Sequence, residues 1–235
     1  GFIPRNASLV CSRRFGDCKD MSSILTVMLN YAGVPAYYTW IGSRALPYDY
    51  TDVHLPITDN HMICTARLGT GYIFLDGTDS YCVFGAPSSH IQGKQALIGI
   101  NEKEYKIIRV PEYTKQNSLL SDTTYLELTD KGITGSININ MTGYYAMNMY
   151  GMISYTNEKD REKYMKGYFN RGSNKFLLEK YEIINTNAPD KFRLTGQFQL
   201  QDYGKKIADE WYLNLNLFKF YEHQEIDYPK RTIPI

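Results

Sequence analysis

Residues 15–35 read FGDCKDMSSILTVMLNYAGVP, and this stretch decides the fold of the first half of the chain. From Met21 the apolar positions Ile24, Leu25, Met28, Leu29 and Ala32 recur at helical spacing. Asp17 is placed to cap that helix, and Asp20 completes a reciprocal capping pair. Gly33 stands where a left-handed residue ends a helix, and Pro35 prevents its continuation. Cys18 is thereby the first helical residue. Backbone N–H groups and the positive end of the helix dipole favour a thiolate there over a thiol. The same N–H groups can bind the oxyanion formed when sulfur attacks a carbonyl. Gly16 leaves room for substrate to approach the backbone. A buried structural cysteine is the bland alternative.

Two runs downstream change that balance. His61 opens a strand-like run ending near Leu68, and Tyr72–Asp76 reads as the other arm of a hairpin across Gly69-Thr70-Gly71. Cys, then His, then Asp is the order of a thiolate, its base and the group that orients the base. Hairpin register decides whether Asp76 can serve. With Gly69-Thr70 as a two-residue loop, Leu68 pairs with Gly71, Ile63 pairs with Asp76, and Asp76 shares a face with His61. A three-residue loop pairs His61 with Asp79 instead and turns Asp76 away. Glycine first in a two-residue turn suits type II′, which favours the first register.

The whole chain has 235 residues, with 26 basic against 25 acidic side chains, 43% hydrophobic and 14% aromatic residues. That length can bury a core in one or two domains. A formal charge of +1 leaves no electrostatic footprint for nucleic acid. No apolar run approaches the ~20 residues of a membrane span, so membrane insertion is not expected. The aromatic content argues against disorder, and four Cys are too few for a disulfide scaffold. Cys11, Cys64 and Cys82 lack the paired spacing of a zinc site with His54 or His61, so neither metal nor cofactor is expected. Gly1-Phe2-Ile3 resembles neither a signal peptide nor a natural start. An upstream portion is therefore expected.

The texture changes along the chain. Residues 1–103 mix the helix with short strands, among them Ala36–Ile41. Arg44–Tyr50 continues as an aromatic loop toward His54 and Pro56. From 104 onward the pattern is mostly period two: Ile137, Ile139 and Met141; Phe192, Leu194, Phe198 and Leu200; Trp211, Leu213, Leu215 and Leu217. Asp130-Lys131-Gly132, Thr142-Gly143 and Asp202-Tyr203-Gly204 read as turns between strands. One helix is expected near 157–170, capped by Asn157, with Tyr164, Met165, Tyr168 and Phe169 on its apolar side and a Glu162–Lys166 pair. Residues 103–121 read as a connector. The second half has no Cys and only His223, so chemistry is not expected to originate there.

The stretches RRFGDCKD (13–20), NHMI (60–63) and FLDGTD (74–79) resemble the bacterial transglutaminase-like superfamily, in the branch with a β-rich C-terminal extension. Residues 89–97, SHIQGKQAL, resemble the segment closing that branch's catalytic core. The resemblance implies an α+β, papain-like core, its Cys helix packed on an antiparallel sheet, followed by a small antiparallel β domain with one helix. It implies Cys18 as nucleophile, His61 as general base and acid, and Asp76 as its orienting partner. Gly16, Trp40 and Asn60 are the candidates for substrate contacts. The family commonly has Pro after that Asp, where this chain has Gly77, and its members usually carry a further N-terminal β domain. The implied activity is thiol acyl transfer or amide hydrolysis on a protein or peptide substrate, through a thioester from a carboxamide or peptide carbonyl. The alternatives are a cysteine peptidase or amidase using water, and a non-enzymatic binding scaffold that keeps the fold. A monomer attached to the upstream domain is expected, and an exported or periplasmic location is implied by the resemblance alone.

Overall fold

In the computed structural model, residues 3–55, 59–185 and 188–219 are described, and they form an α+β protein built on antiparallel sheets. Pro56, His223 and the end of the chain after Lys219 lie outside them. Contacts within the chain separate two units: Gly1–Leu120, Asn140–Tyr155 and Asn185–Phe192 in one, and Ser121–Ile139, Thr156–Ile184 and Arg193–Ile235 in the other.

In the first unit, a short helix α1 (Ala7–Arg13), unmarked by the sequence pattern, leads into α2 (Cys18–Tyr31). The Asp17 side chain accepts from the amides of Lys19 and Asp20, and the Asp20 side chain accepts from the Asp17 amide. At the other end Gly33, at φ 81°, and the Val34 N–H to Leu29 carbonyl bond close the helix. Both ends are as expected. The buried face is not: it consists of Asp20, Ser22, Ser23 and Thr26, whereas Ile24 and Leu25 are half-buried and Met28 is exposed. Small residues let the helix lie close to the sheet, with Cys64 beside Thr26 and Ser23 Oγ 3.3 Å from the Tyr38 hydroxyl.

The sheet has five strands in the order β3-β2-β1-β4-β5: β1 (Ala36–Ile41), β2 (His61–Leu68), β3 (Gly71–Leu75), β4 (Gln95–Gly99) and β5 (Tyr105–Arg109). Leu68 pairs with Gly71 and Cys64 with Leu75, the two-residue-loop register, with Gly69 at φ 60°. Ile41, Ile63, Phe74, Ala96 and Ile98 form an apolar core on the face away from α2, closed by Ile91 and Val110. Residues 103–121 are more than a connector, because they supply β5, paired from Gln95↔Arg109 to Gly99↔Tyr105. Thr142-Gly143 is likewise not a simple turn. Gly143, at φ 56°, leads into α3 (Gly143–Tyr155), whose Gly151 packs on the Tyr81 ring.

The second unit holds the sheet β6-β7-β9-β8, from β6 (Leu120–Thr129), β7 (Gly132–Thr142), β8 (Phe176–Asn185) and β9 (Lys191–Gln201), whose terminal residues reach past the unit's limits. Ile137 and Ile139 are buried on β7, and Phe192, Leu194, Phe198 and Leu200 on β9, as their alternation requires. Helix α4 (Glu158–Phe169), capped by Asn157, buries Met165 and Phe169, and the Phe169 ring lies against Gly196. The run 211–217 is not one strand. A small hairpin, β10 (Lys205–Ile207) with β11 (Glu210–Tyr212), ends it early, and Leu215 is exposed.

Asp20 is the charged group on which the start of α2 rests. It accepts from the Arg5 amide at 2.9 Å and Arg5 Nε at 2.8 Å. Burial opposes its ionisation, yet these bonds, with that from Asp17, bring its pKa down to about 2, from an ordinary value of 3.8. A lowered carboxyl contributes stability in full above the ordinary value, and that contribution is lost as pH falls through the folded one. Thermal melts between pH 5 and pH 2 are therefore expected to fall more steeply for the native chain than for Asp20→Asn. At pH 7 Asp20→Ala is expected to cost roughly 2 kcal/mol, read by urea denaturation.

Candidate active site

Three elements bring histidines and a carboxylate together in the first unit. Asp76 directly follows β3, whose last residue Leu75 pairs with Cys64, and the His61 Nε2–Asp76 Oδ2 distance is 2.8 Å. Asp76 Oδ1 is held from its own chain by the Thr78 amide at 3.0 Å and the Thr78 hydroxyl at 2.6 Å. A second imidazole, His90, comes from the loop before β4 and sets Nε2 3.3 Å from the same Asp76 Oδ2. Burial pushes the Asp76 carboxyl up, but the hydrogen bonds from His61, His90 and Thr78 outweigh it and hold the group far below the carboxylate range. In return, the hydrogen bond and charge of Asp76 raise His90, against a smaller opposing effect of burial.

Cys18 opens α2, which packs on the sheet face carrying Tyr38 and Cys64. Gly77, in the turn just beyond β3, lies against Met21 and Leu25 of α2. Met62 faces α2 by alternation, and His61 is one residue nearer the rim. Cys18 lies three residues before Met21, at the first position of α2. No hydrogen bond among the described residues joins the Cys18 thiol to His61, His90 or Asp76. His61 and Asp76 are thus in direct contact, and the described contacts do not bring Cys18 to either of them.

The other candidates have structural employment. A Cβ at Gly16 would collide with Asp20 Cβ, so its missing side chain is used by the capping residue. Asn60 accepts from the Ser43 amide at 2.8 Å and donates to Ser43 Oγ at 3.0 Å, tying two loops. Trp40 is half-buried on β1 between Met62 and Leu97, on the side facing α2. The aromatic loop is strapped down: Tyr50 donates to Asp59, and Lys94 Nζ donates to the Leu46 carbonyl at 3.0 Å. All four cysteines are free. Burial pushes the Cys64 thiol up and, with Asp79, takes Cys82 to about 11, so neither is a ready thiolate at neutral pH.

His90 is the residue whose role here the sequence reading does not anticipate, although it lies within the quoted segment SHIQGKQAL. A lone histidine in a loop carries no periodic signal. Only the fold aims it at Asp76.

Comparison of the chain with protein-family models, with curated proteins and with solved structures finds no match. No helix of the described residues is long and apolar enough to cross a membrane.

Gly77 gives a direct test of the packing of α2 against the hairpin. A Cβ there would lie 2.9 Å from Met21 Cβ and 3.1 Å from Leu25 Cδ1, so any side chain forces α2 and the hairpin apart. Gly77→Ala is expected to lose about 1–3 kcal/mol of stability by denaturant titration.

Proposed function

We propose that the chain carries a thiol-dependent amide chemistry of the transglutaminase-like type, with Cys18 as nucleophile, His61 as base and acid, and Asp76 as the group that orients His61. The contact supporting this most directly is His61 Nε2 to Asp76 Oδ2 at 2.8 Å. With Nε2 committed to the carboxylate, Nδ1 is the nitrogen left to take the thiol proton. The thiolate then attacks a carboxamide or peptide carbonyl, and the Cys18 amide, unengaged among the described residues, can donate to the oxyanion. Collapse breaks the C–N bond, His61 returns the proton to the leaving amine, and a thioester on Cys18 remains. A primary amine as acceptor completes acyl transfer, and water completes hydrolysis. Asp76 stays ionised throughout, held so by its bonds to both histidines and Thr78.

A non-catalytic scaffold is the competing reading, favoured by the missing hydrogen bond between Cys18 and His61. Alkylation separates the two. With iodoacetamide at neutral pH, mass spectrometry is expected to find Cys18 modified fastest, and His61→Ala is expected to slow that labelling. Equal rates at Cys11, Cys64 or Cys82 would count for the scaffold. Turnover is then read with a glutamine-containing peptide, with and without an amine donor. Cys18→Ala is expected to abolish it and His61→Ala to reduce it by about 10²–10⁴-fold.

A further inference from the structure

We infer that His61, Asp76 and His90 form a binding site for a divalent transition-metal ion of the Zn2+ class, open to solvent on the His90 side. The site goes beyond the proposed chemistry and does not depend on Cys18. Its donor atoms, two imidazole nitrogens and one carboxylate oxygen, all lie within 4.8 Å of one another. His61 Nε2 and His90 Nε2 stand 2.8 and 3.3 Å from Asp76 Oδ2. Around a tetrahedral zinc with N and O ligands at about 2.0–2.2 Å, neighbouring donors are roughly 3.3–3.5 Å apart. The ion therefore needs only small shifts of side chains already converged.

Three further features suit an ion rather than a chance cluster. The donors come from separate elements, the start of β2, the end of β3 and the loop before β4, so the fold assembles them. The carboxylate is fixed from behind through Oδ1 by Thr78, the outer contact that orients a metal-bound carboxylate. Exposure is graded, with side-chain values of 1% for Asp76, 12% for His61 and 43% for His90, which gives an anionic floor and an entrance. The two rings are not stacked against each other but meet edge to face, at 64° with centroids 5.0 Å apart. On binding, the hydrated ion releases five of its six waters as two Nε2 atoms and Oδ2 take three of four tetrahedral positions, and each imidazole proton facing Asp76 passes through solvent to Nδ1, any excess proton being released to water. The remaining position holds water.

Occupation and the proposed catalysis exclude each other, because both use His61 Nε2 and Asp76 Oδ2. An ion at this site separates that pair and takes the orienting bond from the base.

The test titrates Zn2+ into the full chain, stripped with EDTA, against a chromophoric chelator, and follows the visible absorption of bound Co2+ in parallel. One ion per chain is expected. His90→Ala and His90→Gln are each expected to weaken it by about tenfold or more, with far-UV circular dichroism of the metal-free variants unchanged. Cys18→Ser is expected to bind as the native chain does. Binding that survives both His90 substitutions, binding lost only with Cys18→Ser, or no stoichiometric binding at about 100 μM ion would each overturn the site. Because Cys18→Ser keeps the ion site but removes the proposed nucleophile, loss of turnover and loss of metal are read separately.

Discussion

The start of α2 depends on one buried carboxylate. Asp20 is 2% exposed and gathers Arg5 through its amide and guanidinium, together with the Asp17 amide. Those bonds join the segment before α1 to the first turn of α2 and leave no room for a side chain at Gly16. An ionised group so deeply buried is tolerated only when its lone pairs are filled. Filling them fixes where the helix begins, and hence where Cys18 stands.

A second carboxylate organises the histidine cluster at the end of the first sheet. Asp76 is available to His61 because the Gly69-Thr70 loop sets the register, and a slip of one residue would turn it to the face of α2. Gly77 follows at once and lies against Met21 and Leu25. Consecutive residues therefore do two jobs on two faces: Asp76 meets the imidazoles, and Gly77 admits the helix. A branched or bulky residue at 77 would disturb both, since α2 would be pushed off the strand that carries Asp76.

Much of this geometry is legible in residue order. Capping residues, the helix stop at Gly33, the hairpin register and the bounds of β1 and β2 are local, and local chemistry specifies them. What escapes is what depends on partners. The buried face of α2 is Ser22, Ser23 and Thr26, because close packing on Cys64 and Tyr38 rewards small side chains, so the apolar stripe points to the wrong side. Helix α3 is hidden because it is apolar without a clean period and begins on a left-handed glycine that reads as a turn. His90 is hidden because nothing in its neighbours predicts a contact with Asp76 across the fold.

The capping that makes Cys18 the first residue of α2 also limits what that helix end can do. An oxyanion at the helix start needs free N–H groups, yet Asp17 occupies the amides of Lys19 and Asp20, and its carbonyl takes that of Met21. Only the Cys18 amide is left of the first turn among the described residues. Two carboxylates in that turn also occupy the positive end of the helix dipole. Helix stability and anion binding draw on the same amides, and here stability has taken most of them. The proposed acyl transfer at Cys18 would therefore need the His61–Asp76 pair for proton transfer, and a second oxyanion donor from outside the helix.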